Sequence, residues 1–408
     1  MSKTSLALSK TSLALSNLRA IVILIVLAFH SVLAYLDSLP AKASRFDSPP
    51  YGWQATPIID SQRWLGFDLF CAWHDVYLMS LMYFLSGLFV WASLMRKGSW
   101  PFLSDRLLRL LLPMIAAVFI LMPVALYPAY LATASEPSVA QYWQQFTALP
   151  FWPSGPQWFL WELLALNILA AAIHRIAPGT GDRLGRWAAP LSADPARFYV
   201  ALATASGLVY IPLALIYSPW SWFQLGPFAF QWCRPLHYLV YFFAGIAVGS
   251  YGLDRGLLAT DGSLARRWPL WVCVAFATFL LWIGPTALVM GTDTPHFALL
   301  FGSALGFALA CAGGGMAVLA LALRFATQYQ RILDSLSQNA YGMYLVHYVF
   351  VVWLQYAMLG VAIPAIVKAA IVFTGTLLMS WATTAALRSI PFGSRLIGND
   401  GRALAKAS

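Results

Sequence analysis

Charge is what this chain has least of. Only 10% of its residues are Asp, Glu, Lys or Arg, against 60% hydrophobic ones, and that leaves too little polar surface to solvate a soluble globule of this size. Acidic residues are scarcer still, 15 against 25 basic ones, for a net charge of +10. In a soluble protein such an excess would point to nucleic acid. Here it fits the placement of Lys and Arg in cytoplasmic loops, and no nucleic-acid partner is expected. Cysteine is rare too. Cys71, Cys233, Cys273 and Cys311 have no CxxC spacing, which excludes a thiolate metal motif, and no metal is expected. Cys273 and Cys311 sit in apolar runs, where a thiol is usually a small hydrophobe; a Cys71–Cys233 disulfide stays open. The duplication of SKTSLAL at 2–8 and 9–15 is too short for a repeat architecture, so residues 1–17 read as a disordered cytoplasmic tail. Ala41-Lys42-Ala43 mimics a signal-peptidase site, but cleavage there would discard His30.

Long apolar runs are what the chain has instead. About 20 apolar residues cross the hydrocarbon core, and stretches of that kind recur at 18–36, 75–95, 107–127, 157–175, 198–217, 235–252, 269–290, 297–323, 338–358 and 363–387. The expected fold is an all-α polytopic membrane protein with about ten transmembrane helices within 18–390, followed by a cytoplasmic tail at 391–408. With both termini cytoplasmic, 20 of the 25 basic residues fall on inner segments, and Lys42, Arg45, Arg63, Arg234 and Lys368 do not; that asymmetry sets the orientation. Two outer segments, 37–74 and 128–156, are longer than turns and carry Trp53, Trp143 and Trp152. Their aromatic rings are either walls that stack on an acceptor or anchors in the membrane interface. Gly302 and Gly306 have GxxxG spacing, the signature of close helix packing.

Ionisable groups within a span are costly and mark pathways or chemistry. They are His30, Glu162, His237 and His347, with Asp68, His74 and Asp75 near an outer boundary. His30 follows Arg19 by eleven residues, which on a helix is about 16 Å, at mid-membrane or slightly toward the periplasm. A guanidinium at the rim and an imidazole in the interior are placed to hold two ends of one long anionic ligand; the plainer reading of His30 is a core histidine bonded to a backbone carbonyl. In RLLRLLLP, Arg106 and Arg109 stand one helical turn apart, a fork suited to phosphate, although basic residues collect at inner ends in any case.

Five short motifs, RAIVILIVLAFH (Arg19, His30), YFLSGLF (Ser86, Gly87), RLLRLLLP (Arg106, Arg109, Pro113), GPQWFLWELL (Trp158, Phe159, Leu160) and SQNAYGMYLVH (Tyr341, Gly342, Tyr344, His347), follow one another along the chain. In that order the sequence resembles the integral-membrane acyltransferase-3 family. The resemblance implies ten core helices and transfer of an acyl group, acetyl or succinyl, from cytoplasmic acyl-CoA to a hydroxyl of an extracytoplasmic carbohydrate or other cell-envelope acceptor. It implies a bacterial inner-membrane enzyme. The long loop after the first span also looks like that of the periplasmic-glucan succinyltransferases. Ala340 stands where the family commonly has serine, and Tyr83-Phe84-Leu85 replaces the usual aromatic pair before Ser-Gly; neither change removes a titratable group.

Acyl transfer from a thioester needs a base for the hydroxyl proton, donors for the developing oxyanion, and positioning of both substrates. His30 is the expected general base, or alternatively forms an acyl-imidazole. Arg106 and Arg109 would grip the CoA phosphates, with Arg19 along the pantetheine path. Ser86 either donates to the thioester oxygen or packs beside Gly87. Tyr341, Tyr344 and His347 share one helical face and would line the substrate cavity. Glu162 is the first choice for a carboxylate that orients His30; Asp68 and Asp75 come next, or bind the acceptor. Asp37 is too far along the first helix. The competing class is a transporter of an anionic or acylated solute that uses the same groups as a binding and proton pathway; the absence of an inverted repeat or paired broken helices in the sequence weighs against it. Oligomeric state is not written in the residues.

Overall fold

A computed structural model describes residues 9–397. Ten long helices carry it: α1 Lys10–Val32, α2 Leu65–Gly87, α3 Ser99–Leu131, α4 Trp158–Ile176, α5 Pro195–Tyr217, α6 Pro235–Tyr251, α7 Trp268–Met290, α8 Phe297–Phe325, α9 Arg331–Ala357 and α10 Ala365–Ser389. Among the described residues the strands are one antiparallel hairpin, β1 Trp222–Leu225 with β2 Phe228–Gln231. Each predicted span therefore has its helix. Eight helices are long and apolar enough to cross a membrane, and α6 makes a ninth only together with Gly256–Arg266, across a bend of 89°. The tenth expected span, α9, is not among them, because even its most apolar part carries His347, Gln355 and four tyrosines.

The ends of the chain differ from expectation. Ser9 accepts a hydrogen bond from the Ser12 amide and caps α1, so the second SKTSLAL copy forms the first turns of that helix instead of a disordered tail. The first copy lies outside the described residues, as do residues 398–408. Within the expected C-terminal tail, Pro391–Ile397 is a short helix.

Helices approach most closely where they lack side chains. A Cβ on Gly87 would lie 2.1 Å from the Phe242 carbonyl oxygen, and one on Gly245 equally close to that of Phe84, so α2 and α6 cross backbone to backbone. Gly306 does the same for α7 and α8, where a Cβ would meet the Leu281 carbonyl at 2.7 Å. The GxxxG reading holds there, since small residues are what let apolar helices pack in lipid.

Helix α3 is interrupted by its own prolines. Pro113 has no N–H for the Arg109 carbonyl four residues back, and its ring crowds that carbonyl. Residues Leu107–Leu111 relax into a π turn, and the Tyr341 hydroxyl donates to the Arg109 carbonyl. Ten residues on, Ala117–Leu121 is a second π turn in which the Met122 amide serves Ala117. The next donor in that ladder would be Pro123, so the Val118 carbonyl is left for the Trp152 indole at 3.0 Å. Pro128 likewise strands the Val124 carbonyl, which takes the Trp353 indole N–H at 2.9 Å. Tyr341 and Trp353 both belong to α9, so α9 supplies hydrogen bonds that α3 cannot make for itself. Tyr341→Phe is accordingly expected to deprive a part-buried carbonyl of this donor and to cost roughly 1 kcal/mol, measured as a lower thermal midpoint of the purified protein. An unchanged midpoint would show that the hydroxyl is dispensable.

The two outer segments pack on each other rather than standing open. Phe46 stacks on Trp53 at 4.5 Å and meets Tyr142 at 5.5 Å and Tyr130 at 6.0 Å, and these rings are buried. Most of the aromatics expected as an acceptor wall thus form a small core above the helices, while Trp143 keeps 47% exposure. Arg63 donates to the carbonyls of Asp60, Leu39 and Pro40, and Asp68 accepts from the amides of Asp37 and Ser38 at 2.7 and 3.1 Å. The segment is locked onto α10 by Lys368 and Asp60, 2.7 Å apart and each 1% exposed. Cys71 and Cys233 are free thiols, so the disulfide is excluded.

Candidate functional site

The helix of the first motif and the helix of the last bring two imidazoles together. His30 lies in the last turn of α1, because the helix ends at Val32 and not at the end of the apolar run. His347 of α9 is fully buried beside it, with ring centroids 4.9 Å apart. Gln355, 1% exposed, donates its amide to the carbonyls of His30 and Ser31 at 2.9 and 3.3 Å, which satisfies acceptors that the end of a helix leaves open. Tyr348 closes a third side, edge-on to His30 at 5.6 Å.

The hydrogen bonds fix which nitrogen is which. His347 Nδ1 lies 2.7 Å from the Tyr344 carbonyl, and a carbonyl only accepts, so Nδ1 carries the proton and Nε2 is a bare lone pair. His30 Nδ1 is 2.9 Å from the Val26 carbonyl and 3.4 Å from His347 Nε2. Both neighbours are acceptors, so His30 Nδ1 is the donor to each. The basic nitrogen of His30 is then Nε2, and the residue as a whole is half-buried. The backbone-carbonyl reading of His30 is therefore true of one nitrogen and leaves the other available for chemistry.

The remaining motifs are wired to this pair. Tyr344 does not present its hydroxyl to a cavity; it donates to the Pro156 carbonyl, while Gln157 donates to the Leu345 carbonyl at 3.2 Å. The GPQW segment is held to α9 through these bonds, and the RLLRLLLP segment through Tyr341. Two of the three residues expected to line a substrate cavity thus spend their hydroxyls on backbone carbonyls. The π turn Leu107–Leu111 contains Arg109 and takes more residues per turn than an α-helix, so the spacing of Arg106 and Arg109 is not that of one α-helical turn. Arg106 lies over the Phe102 ring at 4.9 Å, and Arg19 over Phe89 at 5.0 Å, beside the end of α2.

Glu162 is buried, but it does not orient His30. Its Oε2 accepts from the Tyr83 hydroxyl at 2.7 Å, and among the described residues neither histidine has a hydrogen bond to a carboxylate. The Tyr83 ring stacks on Tyr238 at 4.7 Å, and Glu162 Oε1 has no hydrogen-bond partner among the described residues. Asp75 does not reach His30 either: it pairs with Arg234 at 2.7 Å. Asp68 uses both oxygens on the loop amides described above. Ser86 is half-buried next to the Gly87 crossing. His237, fully buried, lies 3.1 Å from Ser80 Oγ and 3.3 Å from Cys311 Sγ, in a cluster separate from the histidine pair.

Sequence reasoning missed Gln355, Tyr83 and the Lys368–Asp60 pair. Lys368 was visible as a charge in an apolar stretch and was placed at a boundary; Gln355 and Tyr83 carried no signal of their own, because an uncharged polar side chain in a helix is common.

Compared with known families, residues 12–385 match the model of a family described as an acyltransferase domain. No curated protein and no solved structure matches the chain.

Proposed function

The chain belongs to the integral-membrane acyltransferase-3 family, and from that premise we propose that it moves an acetyl or succinyl group from cytoplasmic acyl-CoA to a hydroxyl of an extracytoplasmic glycan or other envelope acceptor. The family match and the apolar helices make it a multi-pass membrane acyltransferase. The asymmetry of its basic residues supports cytoplasmic termini, and a bacterial inner membrane is the setting that suits a cytoplasmic donor and an envelope acceptor.

The observation that carries the reading is the oriented histidine pair. As the acceptor oxygen attacks the thioester carbonyl, His30 Nε2 takes the hydroxyl proton; the C–O bond forms and the carbonyl electrons move onto oxygen. Collapse of that tetrahedral species breaks the C–S bond, and the departing sulfur receives the proton from Nε2, giving ester and free CoA thiol. His347 is a positioning residue: its Nε2, fixed as an acceptor through Tyr344, holds the Nδ1–H of His30 and the positive charge that the ring carries midway. Arg19, on the same face of α1 as His30, lies along the path from the inner rim, where Arg106 and Arg109 meet the CoA phosphates. Glu162 Oε1 and Ser86 remain donor or acceptor sites for the bound substrates.

Purified protein supplied with acyl-CoA is expected to release CoA thiol only when an envelope glycan is added, with the matching acyl increment on that glycan by mass spectrometry. Release that ignores the acceptor, together with solute movement that follows a gradient, would transfer the assignment to transport. His347→Ala is expected to lower turnover about tenfold, less than loss of the base itself, with KM for acyl-CoA unchanged and partial recovery in His347→Gln, whose amide oxygen can accept from His30. A change confined to KM would make His347 part of the donor site instead.

A further inference from the structure

The end of the bundle where α1 begins, α7 begins and α8 finishes holds a cleft of about 330 Å³. Lys10, Arg266 and Arg324 line it together with Thr260, Thr327 and a single acid, Asp261. Its walls are fixed by long-range bonds: the Thr11 hydroxyl to the Leu258 carbonyl at 3.3 Å, and the Asn17 amide to the carbonyls of Ala326 and Gln328 at 2.7 and 2.9 Å. Three cations around one carboxylate, with hydroxyls between them, make a receptor for a phosphate group.

Two features separate the cleft from the acyl-donor path. Lys10 precedes Arg19 by nine residues, two and a half helical turns, so it projects from the side of α1 opposite to Arg19 and His30. The cleft also adjoins the start of α7 and the apolar outer face of that helix. Arg266 stands two residues before α7 and Arg324 in the last turn of α8. Trp268 meets Phe325 edge-on at 5.2 Å beside them, and α7 turns Leu270, Phe276 and Leu280, each more than half exposed, outward. An aromatic ring at the interface and an apolar helix face running away from the cations match a molecule with a phosphate head and hydrocarbon tails.

We propose that this cleft binds the phosphate of an anionic membrane phospholipid, with Lys10, Arg266 and Arg324 on the headgroup and the outer face of α7 against the acyl chains. The site is independent of the acyl-transfer chemistry and stands whether or not that reading does.

The test uses the full chain, purified in neutral detergent, with the thermal unfolding midpoint followed as phosphatidylglycerol or cardiolipin is added, against phosphatidylcholine and against soluble glycerol 3-phosphate. The anionic lipids are expected to raise the midpoint, with half-effect at a concentration about 100-fold lower for the wild type than for the triple variant Lys10→Gln, Arg266→Gln, Arg324→Gln. Raised salt should weaken the response. Asp261→Asn, which leaves every cation in place and adds no bulk, should shift the half-effect about fivefold toward lower lipid; it keeps the test decisive should the triple variant fail to fold. Equal responses to phosphatidylcholine, an unaltered response in the triple variant, or an unaltered half-effect in Asp261→Asn would overturn the proposal. An equal shift from glycerol 3-phosphate at the same concentration would overturn the lipid as the source of the phosphate.

Discussion

His30→Ala is expected to reduce acyl transfer by a factor on the order of 10²–10⁴ while the protein accumulates in the membrane at wild-type abundance. The two halves of that expectation rest on different observations. Loss of rate follows from removing the side chain whose Nε2 the tautomer argument leaves as base; no other described side chain occupies its position beside His347. Retention of the fold follows because His30 is only partly buried and its bond to the Val26 carbonyl lies within its own helix, whereas the backbone of that turn is held independently by Gln355. Acyl increments on envelope glycans, compared between cells that make the two proteins at equal level, decide the matter. Undiminished transfer by the variant would return His30 to the status of a core histidine.

Lys368→Met is expected to be the most destabilising of the single substitutions considered, by about 3–5 kcal/mol, because it leaves the Asp60 carboxylate buried without its countercharge. The exposed pair Arg45–Asp47 is the control: at 75% and 34% side-chain exposure, solvent screens it, and Arg45→Ala should have no measurable effect. Since the cost in Lys368→Met is that of a stranded charge and not of a lost attraction, the double variant Asp60→Asn, Lys368→Met should recover much of it. The thermal midpoint reports the first effect; proteolysis within residues 37–64 reports whether the outer segment has come away from α10. A double variant no better than the single would mean that the pair is held by its attraction alone.

The fold was legible because the hydrocarbon core imposes a length on every helix, and the apolar runs met that length. What the runs could not fix was where helices begin and end. The apolar stretch at 18–36 hid a start at Lys10, set by a serine cap in a polar repeat, and an end at Val32 that leaves His30 in the last turn. At the site, the participants were readable one by one, since a histidine in a span is conspicuous. Their partners were not. Glu162 and His30 looked like a pair because both were deep and titratable, yet depth says nothing about azimuth, and Glu162 faces Tyr83. The R-x-x-R spacing assumes α geometry, which the π turn Leu107–Leu111 does not have.

That proline reaches further than its own helix. The Arg109 carbonyl accepts from Tyr341 where Pro113 withholds an amide, so positions 113 and 341, more than two hundred residues apart, are joined through one hydrogen bond. A lineage that exchanged Pro113 for alanine would close the π turn and release Tyr341 to drift. A lineage that first lost the tyrosine would keep a handicap that a second change at 113 could erase. Two signatures far apart in the chain would then persist or vanish together, for a reason that lies in hydrogen-bond supply and not in a shared substrate.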